Sequence, residues 1–428
     1  MAFLAPSTFD ALPTDRPVWS INSRKLARFM MASGGFLGGF VIFEPSPYEG
    51  FLIVALVTFL VAGMRLGQHA QALGFLFVLF NLGGLLSAFT VASTELWPLY
   101  IAVSLFLGLT AVFWCAALQA DVQRFRSLMR GYVLGAVVTA SLGILGYFKA
   151  IPGTEIFTRY DRAMGAFQDP NVFAPFLVLP FLYLLHGIAY RSPRLLIVRA
   201  VALFIIAFGI FLAFSRAGWG LTLISATMLY ALALATERNP RQRQKLIVAG
   251  MLGVGLGMVA ILVALQFEAV ANMVAIRAKV VQDYDGAQVG RFARHAIGFE
   301  WALTRPLGMG PLQFGRALGE DPHNIWVKAL MAYGWLGFVS FLTIVIITLI
   351  GGAKILGRKR PWQPYLQCAY CVFVGHLFVS WVIDVDHWRH VYLIIGMIWA
   401  CMALEQRHGH AFSNHAQTLH TRTQSVRS

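Results

Sequence analysis

Charged residues are scarce in this chain, where they make up only 12% of the 428 residues. A soluble domain carries about 25% charged residues, so the composition excludes an ordinary soluble globular protein. Apolar residues reach 58% of the chain. They recur in runs of roughly 20 residues, each long enough to cross the hydrocarbon core of a bilayer. The sequence therefore predicts an all-α polytopic membrane protein.

Sequence signals of redox, nucleotide and metal chemistry are also lacking. The four cysteines fall in apolar segments, where we expect small core residues, and the Cys368–Cys371 spacing has no βαβ context that would indicate a redox motif. No phosphate loop ending in Gly-Lys-Ser/Thr is present. Asp384, Asp386 and His387 come nearest to a metal site, which is kept as the alternative for these residues. The prediction is that the protein uses no metal and no cofactor.

A cleavable signal sequence is not expected either. The first 24 residues are polar and mixed, and no small-residue cleavage site follows a short apolar core. We interpret the first apolar run as a signal anchor and first span. About twelve spans are predicted, near 28–43, 47–64, 70–90, 97–120, 131–150, 170–190, 195–214, 218–236, 246–266, 324–350, 365–383 and 391–404.

The division of the chain follows from these spans. Residues 1–27 form an N-terminal segment, 28–266 carry spans one to nine, 267–323 form one long outer loop, and 324–404 carry the last three spans. The polar tail 405–428 is expected to be disordered. The apolar stretch 195–236 is too long for one crossing, because as one helix it would be roughly 63 Å long at 1.5 Å per residue. It must fold back, and Ser215-Arg216-Ala217-Gly218 is the only polar, glycine-containing break near its middle.

Basic residues are absent from one set of short loops. Loops 44–50 and 91–96 contain no Lys or Arg, whereas the loops of the opposite side are rich in both. By the positive-inside rule, both termini are cytoplasmic and the long loop is on the outer face. The net charge of +15 is then a topology signal that suits anionic lipid, and we expect no nucleic-acid binding.

Some arginines on the outer face run against this rule. Arg162 lies in the loop before the sixth span. Arg216 lies in a turn so short that a charge there is not simply tolerated as in a long loop. Their position indicates an anionic ligand on that face. For Arg277, Lys279, Arg294 and Arg316 we favour the plainer interpretation that a long loop tolerates any charge.

Two spans begin with an acid–proline pair. Asp169 is expected to cap the sixth span, with Pro170 in its first position. Asp321 and Pro322 suggest the same start for the tenth span, which places His323 in the first turn. There the positive end of the helix dipole favours a neutral imidazole, and such an imidazole can act as a general base.

Four short strings, taken in order, resemble the O-antigen ligase and O-antigen polymerase superfamily of bacterial envelope glycosyltransferases. They are Arg162-x-x-Gly165 followed by Asp169-Pro170-Asn171, Ser215-Arg216-Ala217-Gly218, Gly290-Arg291 followed by Pro306-Leu307-Gly308-Met309-Gly310, and His323-Asn324 with Gly334 eleven residues past the histidine. The resemblance runs from about residue 60 to residue 404. One departure is Asp-Pro-Asn where the family commonly has Asn-Pro-Asn.

The resemblance implies a GT-C-like enzyme of the bacterial inner membrane. Its donor is a glycan on a polyprenyl diphosphate, presented at the periplasmic face, and the transfer is metal-independent. Arg162, Arg216 and Arg291 are then candidates for binding the diphosphate, and His323 for deprotonating the acceptor hydroxyl. Asn324, Asp386, His387 and His390 are candidates for the acceptor side.

Three functions remain open at this point. A ligase would use a lipid A–core acceptor, and it is the interpretation we prefer. A polymerase would use a second lipid-linked glycan as acceptor and would share the same motifs. A transporter or flippase of lipid-linked glycans would place its charges at the middle of the membrane, whereas here they cluster at one face beside a long loop. The sequence does not specify the sugar, the acceptor, the product length or the oligomeric state.

Overall fold

The computed structural model describes residues 21–91, 97–190, 193–277 and 290–425, with side chains between residues 23 and 409 of these ranges. Helices account for 79% of the structure. They are α1 (Ile21–Leu37), α2 (Pro47–Val61), α3 (Gln68–Ala88), α4 (Trp97–Leu118), α5 (Val122–Tyr147), α6 (Pro170–Tyr190), α7 (Leu196–Leu212), α8 (Arg216–Thr236), α9 (Pro240–Ala264), α10 (Glu268–Arg277), α11 (Arg291–Thr304), α12 (Gln313–Leu318), α13 (Ile325–Ile355), α14 (Gln363–Val379) and α15 (Arg389–Ser425). One two-stranded antiparallel hairpin, β1 (Thr158–Arg159) and β2 (Arg162–Ala163), lies between α5 and α6.

The all-α polytopic prediction is confirmed in its main feature. Eight of the described helices are long and apolar enough to cross a membrane, namely α3 to α9 and α13. A further apolar helix, α2, has only 15 residues. The figure of about twelve spans stays a prediction. The first helix, α1, begins earlier than the span expected near 28–43, at Ile21, and ends at Leu37 before a pair of glycines.

The predicted reversal in the stretch 195–236 is confirmed. Helix α7 ends at Leu212 and α8 begins at Arg216. Phe214 adopts a left-handed φ of 45°, and the Ser215 hydroxyl accepts a hydrogen bond from Gly218 N at 3.2 Å. The serine therefore caps α8, and the polar break turns the chain back into the bundle.

Small residues bring the first and fifth helices together. A Cβ atom at Gly35 would lie 2.4 Å from the Leu128 carbonyl oxygen, and one at Gly131 would lie 1.8 Å from the Ala32 carbonyl oxygen. Close backbone approach of this kind is the general use of small residues between membrane helices. Gly35 and Gly131 thus let the backbones of α1 and α5 approach each other closely.

Two regions differ from the sequence expectation. The long loop 267–323 contains α10, α11 and α12, while residues 278–289 lie outside the described part of the chain. The tail after residue 405 was expected to be disordered, but α15 continues as helix to Ser425. That tail contains no proline, the residue that breaks a helix most strongly.

Candidate functional site

A cluster of charged side chains surrounds His323, just before α13. The Nε2 atom of His323 is 3.0 Å from Glu320 Oε1, and its Nδ1 atom is 3.8 Å from Asp384 Oδ2. The side chain is one-third exposed, at 33%, so a substrate can reach it. A histidine held by a carboxylate on one ring nitrogen has the arrangement of a general base.

The start of α13 differs from the prediction. Asn324, and not Asp321, caps the helix, because its Oδ1 accepts hydrogen bonds from Trp326 N at 2.9 Å and Val327 N at 3.2 Å. His323 lies outside the first turn, with a left-handed φ of 50°. Asparagine is among the best N-cap residues, and here the cap fixes the backbone that carries the histidine.

The carboxylate of Glu320 is held from a second direction by α11. Arg294 Nη2 lies 2.7 Å from Glu320 Oε2, and the arginine side chain is only 6% exposed. Burial alone would raise the pKa of Glu320, but the hydrogen bonds from His323 and Arg294 outweigh it and lower this pKa. One residue further along α11, His295 Nε2 contacts the Pro322 carbonyl at 2.8 Å. Helix α11 thereby holds the turn that precedes His323.

Lys328 lies among three carboxylates below His323. Its Nζ is 3.1 Å from Asp321, 3.3 Å from Asp384 and 3.7 Å from Asp386. Burial raises the pKa of Asp384. Burial would do the same to Asp386, but Lys328 and His387 outweigh it, and the pKa of Asp386 falls. The two neighbouring carboxyl groups therefore differ in acidity, and Asp384, the weaker acid, is the one that faces His323.

Two of the residues predicted for the acceptor side lie in this cluster. Asp386 Oδ2 is 3.0 Å from His387 Nδ1 and accepts a hydrogen bond from the Tyr100 hydroxyl at 2.6 Å. His390 is buried, and its Nε2 is 3.2 Å from His376 Nε2 on α14. It is the second residue of α15 and packs against α14.

Arg162 belongs to a second group, built on α6, α7 and α8. The hairpin places it by a two-residue turn, Tyr160–Asp161, with φ of 54° at both residues. Its Nε donates to the Ala213 carbonyl at 2.7 Å, and its Nη2 donates to Asn171 Oδ1 at 2.8 Å. Arg162 is 4% exposed and therefore joins the start of α6 to the turn before α8.

Arg216 is the first residue of α8, beside that turn. A Cβ atom at Gly218 would lie 2.6 Å from Ala174 Cβ, so glycine lets α8 pack closely on α6. Asp169 Oδ1 accepts a hydrogen bond from Asn171 N at 2.7 Å, which confirms the predicted cap of α6. Two helix N-termini thus meet near two arginines, an arrangement that attracts anions.

Helix α14 links the two groups. A Cβ at Gly375 would lie 2.6 Å from Leu221 Cδ1, so α14 packs against the first turns of α8. The residues that follow α14 include Asp384 and Asp386, so the cluster around His323 and the N-terminus of α8 lie at the same end of the bundle. Arg291 begins α11, about one turn before His295.

Sequence reasoning missed several members of the cluster. Arg294 was attributed to a tolerant loop, yet it is buried and paired. Lys328 carried a usable signal, because a lysine in the first turn of an apolar span needs a partner. Glu320 had only its proximity to His323 as a signal.

Among the described residues, no group of three or more His, Cys, Asp or Glu side chains could hold a metal ion.

Comparison with known families supports the motif assignment. A family model described as O-antigen ligase matches residues 200–342. The matched part of the chain includes Arg216, Arg291 and His323, and excludes Arg162 and Asp386. A comparison with curated proteins finds no match. The resemblance of this chain to the O-antigen ligase and O-antigen polymerase superfamily, inferred above from four short strings, is confirmed by the family match.

Proposed function

We propose that this protein is an inner-membrane glycosyltransferase of the O-antigen ligase type. It moves a glycan from a polyprenyl diphosphate to an acceptor hydroxyl at the periplasmic face, without a metal and on a GT-C-like fold. The family match supports an enzyme that acts on a lipid-linked glycan in a membrane. The observation that carries the proposal is the arrangement of His323 between Glu320 and Asp384. His323 and Glu320 lie in the matched region.

The acceptor hydroxyl is activated by His323. With Nε2–H donated to Glu320, the lone pair of Nδ1 takes the proton while the acceptor oxygen attacks the anomeric carbon. The bond between that carbon and the diphosphate oxygen breaks, and the polyprenyl diphosphate leaves with the electron pair. Asp384, at 3.8 Å from Nδ1, stabilises the imidazolium that forms.

The negative charge of the leaving diphosphate is met by arginines. Arg216, at the N-terminus of α8, combines a guanidinium with helix N–H groups, both suited to phosphate oxygens. Arg162 uses its Nε and Nη2 atoms to hold the turn beside Arg216, so we propose that its main role is to support Arg216. Arg291 approaches from α11. Charge stabilisation at the leaving group is the part of such a site that most affects the rate.

The acceptor side is proposed to involve Asp386 and His387. Asn324 has an indirect role, because its side-chain amide is already bonded to protein. Its Oδ1 caps α13, and its Nδ2 donates to the Trp381 carbonyl at 3.2 Å. His390 is assigned to the packing of α14 against α15.

Purified protein in detergent, given donor and acceptor, tests the proposal. Product formation there favours an enzyme, whereas donor movement between leaflets of liposomes without product favours the transporter. The glycolipids of a deletion strain separate the two enzyme types. Long lipid-linked polymer with uncapped lipopolysaccharide indicates a ligase, and accumulated single repeat units indicate a polymerase.

The proposed orientation has its own test. Gln288 lies in the predicted periplasmic loop, outside the described residues. In an otherwise cysteine-free variant, Gln288→Cys should react with an impermeant thiol reagent in cells whose outer membrane is permeabilised. Lys359→Cys, between α13 and α14 on the opposite side, should react only after lysis. The reverse pattern would contradict the orientation and the site assignment together.

A further inference from the structure

Helix α13 is broken at Gly334. This residue has φ of 61° and ψ of −172°, a backbone region that is essentially restricted to glycine. The N–H of Trp335 donates to the Pro306 carbonyl at 2.9 Å in place of its normal helical partner. The break separates the first segment of α13, residues 325–333, from the long apolar remainder of the helix.

A short strap, residues 306–310, fills the break. Met309 N donates to the Met331 carbonyl at 2.8 Å. A Cβ atom at Gly334 would lie only 2.8 Å from the Leu307 carbonyl carbon and oxygen. The strap and the break therefore depend on each other, because any side chain at position 334 would push the strap out.

The region before the break has a small second core, in addition to Ile325, Ala332 and Tyr333, which pack in the main core. Helices α11 and α12 and the first segment of α13 share a hydrophobic cluster that is separate from the main core and contains Ala302, Phe314, Val327, Leu330 and Met331. We call residues 291–333 the outer arm. Helix α11 is tied at one end through the Arg294–Glu320 ion pair and at the other through the indole Nε1 of Trp335, which donates to the Ala302 carbonyl at 2.9 Å.

We propose that Gly334 is a positioning residue for glycan transfer, with Trp335 as its support. The outer arm carries both Arg291 and His323, whereas Arg216 belongs to the bundle. The direction that the chain takes at Gly334 therefore sets the general base relative to the arginine that binds the leaving group. This inference rests on the proposed function.

Gly334→Ala tests the proposal by kinetics. Misplacement of reacting groups by about 1 Å can cost on the order of 10²-fold in rate, so we expect a loss of about that size in kcat, with little change in the KM for the acceptor. Gly63→Ala is the matched control. Gly63 also has a positive φ, 78°, but a Cβ atom there meets nothing within 4 Å. Because the site has room for a Cβ atom, Gly63→Ala should lower Tm no more than Gly334→Ala does, and it should leave kcat unchanged. Equal kcat in the two variants would overturn the proposal.

Spin-label distances test the position of the arm without any assay of activity. Leu303 on α11 and Leu223 on α8 are both exposed, and the four native cysteines are buried, so cysteines at these two positions can be labelled selectively. We expect a narrow distance distribution in the parent protein and a shifted or broadened one with Gly334→Ala. An unchanged distribution would refute the inference.

Trp335→Phe keeps the experiment decisive if Gly334→Ala fails to fold. It removes the hydrogen bond to Ala302 and retains an aromatic ring, so the same shift is expected in smaller degree, and its absence would also refute the inference. If the parent protein transfers no glycan at all, the proposed function fails, and the distances alone then decide whether Gly334 places the arm.

Discussion

His323→Ala is expected to abolish glycan transfer while leaving the protein inserted and able to bind the lipid-linked donor. Loss of a general base typically costs about 10²–10⁴-fold in rate, enough to erase a glycolipid ladder. Donor binding should survive, because the proposed diphosphate contacts come from Arg216 and Arg291, with Arg162 holding the turn beside Arg216. The measurement is product formation by purified protein in detergent, alongside donor binding and Tm.

His323→Gln sharpens this test. Glutamine keeps the ability to hydrogen-bond to Glu320 but has no useful basicity, so this variant should fail as well. His408→Ala is the control, since His408 lies near the middle of α15, and its ring packs against that of Trp362. If His323→Gln works as well as the parent protein, His323 positions the acceptor and the proton leaves by another route.

The second large effect is expected for Arg216→Lys. The substitution keeps the charge, but the compact ammonium of lysine cannot grip a diphosphate through two parallel hydrogen bonds. We therefore expect most of the activity to be lost at equal protein level, with a weaker response to added donor. Product formation across a range of donor concentrations measures both effects.

Arg316→Lys is the matched control for Arg216→Lys. Arg316 is exposed on α12, and the site assigns it no role. This variant should behave like the parent protein. Full activity of Arg216→Lys would mean that Arg216 serves packing or topology, and the diphosphate site would then have to be sought around Arg291.

Much of the bundle was predictable because bilayers constrain sequence strongly. Apolar runs of a given length predict spans, and the polar, glycine-containing break in the stretch 195–236 predicted the reversal at Ser215. The cap at Asp169 followed from local helix chemistry. At 321–324 the same reasoning chose the wrong cap, because Asp321 is drawn to Lys328 and leaves Asn324 to cap α13.

The site was predictable only in part. Arg216 and His323 stood out because they are polar groups beside long apolar segments, which is a local signal. The groups around His323 did not stand out. Asp384, which faces His323, comes from the loop after α14, and Arg294, which pairs with Glu320, comes from α11; both are distant from His323 in sequence.

The amino-acid sequence by itself determined that this chain is an apolar, helical membrane protein with an O-antigen ligase-like set of arginines and a histidine. Only the tertiary structure decided that Arg162 braces a turn, that Lys328 balances three carboxylates, and that α13 breaks at Gly334 to receive the strap. The physical reason is the distance along the chain over which each interaction acts. Hydropathy and caps act within a few residues, whereas ion pairs in a buried cluster and a strap in a helix break exist only after distant segments pack together.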